Sequence, residues 1–321
     1  MQHHLLATDD EDDRPFRIRP PKPRKPQAAS LADEEPHPLA NATYRMTRFE
    51  TSWLPESLGP FLEQSLITDV EALVRGGKEA TVYRCTPGET LDCRWLAAKV
   101  YRPRALRNLR NDAMYREGRG FLTADGRPVK RSDHRIIRAI GKKTTYGVQA
   151  QHTSWLMHEF VSLQKMHAAG APVPKPYAAS ENAVLMEYVG DENGAAAALS
   201  QVALDPETAR PLLRDILRGI DILAGLGLAH GDLSAYNVLY SDGRAVIIDF
   251  PQVVELSGNP HAEEILYRDV LRVCEYFQAQ GVKCVVDRIF DRIWATVERP
   301  DPAEMGANEG PVVRQPDRAR K

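Results

Sequence analysis

The feature that most constrains this chain is HGDLSAYNVLY at 230–240, followed after a tight turn by VIIDF at 246–250. It comes after residues 207–226, where Leu213, Ile216, Ile220 and Leu223 recur at helical spacing. Short apolar strands at Val238–Tyr240 and Ala245–Ile248 flank the turn Ser-Asp-Gly at 241–243 and read as a hairpin. A hairpin sets Asn237, where the first strand begins, beside Asp249, where the second ends. Asp232, in the loop after the helix, comes within reach of both. An amide oxygen and a carboxylate suit Mg²⁺, which takes few protein ligands and keeps several waters. Asp232 is left to accept a hydrogen bond from an attacking hydroxyl and orient it. This is the layout of phosphoryl transfer, where positioning and charge neutralisation supply most of the acceleration. A lone D-x-x-x-x-N is a common accident, and Asp-Leu-Ser can cap a helix. An aspartate ending an apolar strand 12 residues after the asparagine argues against that reading.

The rest of the chain divides by composition. Residues 1–45 are acidic (DDEDD at 9–13), then basic and proline-rich (Arg14 to Lys25), then acidic again, without apolar periodicity. Such a stretch buries too little to offset its ordering entropy, so a disordered tail is expected there and again over 299–321. Between them, residues 46–188 and 189–298 read as two unlike lobes. The first holds short strands near 70–75 and 82–85 around a Gly-Gly turn, and a buried strand at Trp95–Tyr101 with one lysine, Lys99. Residues 102–150 are either a functional loop or partly helical. A helix over 152–169 carries Leu156, Phe160, Leu163 and His167 on one face and stops at Gly170. A strand at 183–189 and helices near 261–280 and 283–296 follow. Strands first and helices later make an α+β chain. Lys+Arg 42 against Asp+Glu 44 gives 42 − 44 = −2, which excludes a general polyanion binder, though the basic runs Arg14–Lys25 and Arg102–Arg119 could each meet a phosphate-rich partner or simply be solvated. No apolar run is long enough for a membrane span and no signal-like start is present. Four cysteines without CxxC spacing argue against disulfide or zinc frameworks, so a cytoplasmic setting is expected.

HxDLxxxNxL followed by IIDF resembles the protein-kinase-like fold, with Gly231 in place of the usual arginine and Pro251 in place of the glycine after D-F. HGD with DF also resembles small-molecule kinases of the aminoglycoside and choline type. GGKEATVY (76–83), HEFVSLQKMHAAGAPVPKPYA (158–178) and the D-x-x-Q, Pro-His and Arg-Asp features at Asp249, Gln252, Pro260–His261 and Arg268–Asp269 are similar to the RIO kinase family, nearest its first-type branch in a prokaryotic member. The resemblance covers about residues 70–280. It implies a two-lobed protein-kinase-like fold with a truncated C-terminal lobe, because no A-P-E segment follows Asp249.

The resemblance also implies roles. The turn with Gly76, Gly77 and Lys78 covers the ATP phosphates, although an exposed turn lysine reads equally well at 78. Lys99 meets the α- and β-phosphates and needs a carboxylate partner, Glu159 or, as competitor, Glu117. Met186 lines the base pocket or is ordinary core, while the C=O of Glu187 and N–H of Val189 pair with adenine. His230 supports the loop, and His3, His4, His37 and His134 are solvated. The implied activity is an ATP- and Mg²⁺-dependent serine/threonine protein kinase (Mn²⁺ as alternative metal) acting on a protein substrate. Three other activities stay open. One is an ATPase passing phosphate onto Asp249, as a switch on small ribosomal subunit precursors or another RNA-containing partner. Another is a small-molecule phosphotransferase. The last is a binding-only pseudokinase, which the joint presence of Lys99, Asp232, Asn237 and Asp249 disfavours.

Overall fold

The computed structural model describes residue 39 and residues 42–77, 79–102 and 120–297. Its elements run in this order: α1 (Leu54–Glu63), β1 (Ile67–Gly76), β2 (Ala80–Pro87), β3 (Leu96–Tyr101), α2 (His134–Gly141), α3 (Thr145–Ala168), β4 (Pro176–Ala179) and β5 (Ala183–Glu187). Then come the two-residue strands β6 (Gly190–Asp191), β7 (Gly194–Ala195) and β8 (Ala197–Ala198), and the helix α4 (Pro206–Gly225). The chain continues through β9 (Leu228–Ala229), β10 (Val238–Ser241), β11 (Arg244–Ile247), β12 (Val254–Glu255), α5 (Ala262–Ala279) and α6 (Val286–Val297).

Five strands form an antiparallel sheet in the order β1-β2-β3-β5-β4. Every residue of β3 is buried, because helices cover both faces of this middle strand. Its period of two still sorts the side chains. Leu96, Ala98 and Val100 join Leu54, Leu58 and Phe61 of α1 in one core. On the other face Tyr101 packs with Leu156, Met157 and Phe160 of α3. Lys99 shares that second face. A larger core gathers α4, α5, α6 and the β10–β11 hairpin around Ile216, Ile220, Ile247, Val270 and Phe277. The start of α4 is fixed by Asp205, whose carboxylate accepts the N–H groups of Glu207 and Thr208, and by Pro206 in the first turn.

The α+β class is as expected, and several boundaries move. The first hairpin runs over 67–76 and 80–87 rather than 70–75 and 82–85, since backbone pairing continues from Ile67↔Pro87 to Gly76↔Thr81 past the apolar residues. The helix expected over 152–169 begins at Thr145, where Thr144 Oγ1 accepts the Gly147 N–H. Its first turns lack an apolar stripe and gave no periodic signal. Residues 102–150 are partly helical where described, with 103–119 outside the described residues. Residues 42–45, assigned above to the disordered tail, lie against the sheet: Tyr44 N–H donates to Val70 C=O and Thr43 N–H to Asp69 Oδ1. Hydrogen bonds to a strand edge leave no trace in composition. The rest of both expected tails lies outside the described residues. Among the described residues no helix is long and apolar enough to cross a membrane.

Candidate active site

Lys99 stands in the middle of the sheet, between Val82 on β2 and Val184 on β5. An ammonium so placed is expensive without partners. It has two: its Nζ lies 2.6 Å from Glu159 Oε1 and 2.6 Å from Asp249 Oδ1. The Glu159 side chain is 3% exposed and that of Asp249 is 45% exposed, so one carboxylate is sealed in and the other opens to solvent. The second oxygen of Glu159 accepts the Tyr101 hydroxyl. Burial pushes the Glu159 carboxyl up, against the pull of Lys99. For Lys99, burial acts to lower the ammonium, but the charges of Asp249 and Glu159 outweigh it and hold the group well above its ordinary value. For Asp249, burial acts upward, yet Lys99, with His230 and Arg75 behind it, keeps the carboxyl below the usual range. The competing partner, Glu117, lies outside the described residues.

Across from this trio, the 230–237 loop is pinned from two sides. Asp269 on α5, 1% exposed, accepts the N–H groups of Gly231 at 2.8 Å and Leu233 at 2.9 Å. Arg268 donates to the Gly231 C=O at 2.6 Å. His230 contacts the Ile248 C=O through Nε2 at 3.1 Å and packs on Phe250, so it is structural, as expected. Gly231 has φ +85°, and a Cβ there would lie 2.2 Å from the Gln252 carbonyl oxygen. That approach, with the positive φ, explains why a residue without a side chain stands at 231. The Asn237 side-chain amide donates to the Asp232 C=O at 2.8 Å, which leaves its Oδ1 as a free acceptor. Asn237 C=O in turn accepts the Ile248 N–H at 2.9 Å, tying the loop to the residue before Asp249. Asp249 itself has φ +73°, a left-handed conformation that aspartate tolerates better than bulky residues.

The remaining expected positions fall at the edge of the same region. Gly76 closes β1 and pairs with Thr81; Gly77 N–H donates to Ala80 C=O, 2.9 Å away, in the turn. Lys78 lies outside the described residues. Met186 is half-buried between the core under the sheet and the larger helical core. Glu187 is exposed at the end of β5, its carboxylate accepting the Lys175 N–H, and Val189 follows with its C=O accepting from Ala196.

Sequence reading missed Arg272, whose Nη1 lies 2.7 Å from Asp232 Oδ1. It also missed Arg75, which adds positive charge near Asp249. Arg268 and Asp269 appeared only as matching letters, without their part in holding the loop. Helical spacing was the available signal: 268, 269 and 272 share one face of α5, at offsets of three and four. Among the described residues no three His, Cys, Asp or Glu side chains gather as a metal cluster. One open carboxylate and one free amide oxygen fit a hard cation that keeps most of its waters, such as Mg²⁺.

Comparison with known proteins bears on this geometry. The pattern that describes the RIO domain matches residues 123–289, which include Glu159, Met186, Asp232, Asn237 and Asp249. The chain is 35% identical over 216 residues to the RIO-type serine/threonine-protein kinase Rio1 of Haloferax volcanii, covering 67% of this chain and 65% of that relative. It is 30% identical over 234 residues to serine/threonine-protein kinase RIO1 of Caenorhabditis elegans, covering 72% of this chain and 42% of the relative. It is also 30% identical over 139 residues to the RIO-type serine/threonine-protein kinase Rio1 of Thermoplasma acidophilum. The match thus spans under two thirds of the length of the first two relatives.

Proposed function

Because this chain belongs to the RIO family, we propose that it is a serine/threonine protein kinase, moving the terminal phosphoryl group of ATP onto a protein hydroxyl with Mg²⁺ (or Mn²⁺) as the metal. On this reading the fold is two-lobed and kinase-like, with a shortened second lobe in which, among the described residues, α5 and α6 follow β12. The observation that carries the proposal is the linkage of Lys99 to both Glu159 and Asp249, facing a loop that presents Asp232 and Asn237.

Glu159 holds the Lys99 ammonium in place, and Lys99 meets the α- and β-phosphate oxygens. The Gly76–Gly77 turn, closed by the Gly77 N–H on the Ala80 C=O, would cover the phosphates. The Glu187 C=O and Val189 N–H pair with the adenine edge, and Met186 lies under the ring. Asp249 and the Asn237 Oδ1 would hold the metal, which would supply charge neutralisation at the phosphates. Asp232 accepts the hydrogen bond of the acceptor hydroxyl and takes its proton as the oxygen attacks phosphorus and ADP leaves. Arg272 fixes one carboxylate oxygen of Asp232 and leaves the other for the hydroxyl.

A second reading draws on Asp249. Its carboxyl is kept below the usual range and is substantially exposed, with one oxygen on Lys99. The other oxygen can attack the terminal phosphorus, releasing ADP and leaving an acyl phosphate that water then hydrolyses, which makes an ATPase cycle. Kinase and ATPase assays with Mg²⁺ on the full chain test both readings. Asp232→Ala is expected to lower protein phosphorylation by about 10²- to 10⁴-fold, and Asp249→Ala to abolish both activities. Undiminished phosphorylation by Asp232→Ala overturns the assignment of the base. A hydroxylamine-labile phosphate that disappears in Asp249→Ala supports the second reading, and phosphoserine alone rejects it.

A further inference from the structure

A second charged surface lies on α2. Residues 127–150 carry seven Lys and Arg against one acid, Asp133, in a chain whose overall charge is −2. Helix α2 has no fully buried residue, and its Ile136, Ile137 and Ile140 are half-buried where it leans on α3. The outward face is basic. Arg135, Arg138 and Lys142 recur at i, i+3 and i+7, which places them in one row. At 1.5 Å per residue that row is about 10 Å long. With His134, Ala139 and Thr144 they line an open cleft of about 390 Å³. Among the described residues the one ion pair of this stretch, Arg127 with Asp125, lies before the row. The three cations therefore face solvent without a carboxylate, and like charges so spaced repel.

One more contact says what kind of anion fits. The Arg135 guanidinium lies 5.5 Å from the ring centroid of Tyr146, and Tyr146 is 49% exposed. An open aromatic ring beside a row of unpaired cations combines a base-stacking platform with a track for phosphates. An acidic peptide would satisfy the charges and leave the ring unused. We propose that this face binds single-stranded nucleic acid, with backbone phosphates along Arg135, Arg138 and Lys142 and a base against Tyr146. This goes beyond the kinase reading and does not depend on it.

The test is fluorescence anisotropy of the full chain with a fluorescein-labelled single-stranded 12-nucleotide RNA, titrated between 50 and 200 mM KCl. Single strands release counterions with a slope of about −0.7 per phosphate contacted, so three contacts contribute about −2 to log K against log salt. Arg138→Gln with Lys142→Gln is expected to weaken binding at least tenfold at low salt and to flatten the slope by about 1.4. Tyr146→Ala is expected to weaken it about 5- to 150-fold, with Tyr146→Phe restoring it. Melting temperatures and autophosphorylation should match those of the unsubstituted chain, because none of these residues is buried or belongs to the active site. Four results would each overturn the proposal. The first is no binding at all. The second is affinity and slope unmoved by the double substitution, which puts binding on another basic run such as Arg14–Lys25 or Arg102–Arg119. The third is equal affinity for a duplex with Tyr146→Ala silent, and the fourth is equal competition by an oligoglutamate of the same charge. Loss of phosphorylation by the unsubstituted chain would count against the kinase reading alone.

Discussion

Removing the Lys99 ammonium, as in Lys99→Met, leaves Glu159 as a carboxylate 3% exposed with no counter-charge beneath the sheet. Breaking a buried ion pair from one side costs about 3–5 kcal/mol. With a urea m-value near the upper end of about 1–3 kcal/mol/M, the unfolding midpoint should fall by about 1–2 M. The deficit must also depend on pH. Burial already holds the Glu159 carboxyl above its ordinary 4.5, and losing the lysine removes the charge that opposed this. The folded variant therefore keeps a proton over a range in which the unfolded chain has released it. Stability then drops as pH rises above about 4.5, by up to about 1.4 kcal/mol per pH unit until the folded group ionises. Urea melts at pH 5, 6.5 and 8, read against the unsubstituted chain, measure this. A second substitution, Glu159→Leu in the Lys99→Met background, removes the stranded acid and should recover most of the loss at pH 8. A Lys99→Met variant as stable as the parent at pH 8, or a deficit that does not vary with pH and is not relieved by Glu159→Leu, would refute the reasoning.

Other substitutions probe the loop. Gly231→Ala forces a side chain into a left-handed backbone and against the Gln252 carbonyl; a loss of about 2 kcal/mol should lower the melting temperature by about 4–8 °C. Asp269→Ala strands two buried N–H groups, and at about 1–3 kcal/mol each it should destabilise by roughly 2–6 kcal/mol in urea, with phosphorylation lost at temperatures where the chain is still folded. Arg272→Ala should slow phosphorylation about tenfold with the KM for ATP unchanged, while Arg272→Lys recovers part of the rate.

What the sequence made legible tracks how local the signal is. The β10–β11 hairpin was readable from its turn, Ser-Asp-Gly at 241–243, and α4 and α5 from the helical spacing of their apolar residues. A buried lysine has to find an acid, and Glu159 was readable as that partner through the resemblance of its helix to the RIO family, with Glu117 as the competitor. The first turns of α3 were not, since TYGVQAQ carries neither an apolar stripe nor an acidic first turn. The packing of 42–45 on β1 rests on hydrogen bonds whose partners are 26 residues apart, a separation no window-based pattern reports. Arg272 was within reach but needed two steps at once: that 268, 269 and 272 share a face, and that this face meets the loop rather than the core.

Three side chains on two successive turns of α5 hold the strand-to-loop passage that carries Asp232. The opposite side of that helix is locked into the larger core through Val270, Val273 and Phe277. Asp232 is thus seated by the same packing that makes this part of the chain fold. Under the kinase reading proposed above, the base would already be seated in the folded chain, and control would act on what reaches the cleft rather than on placing Asp232.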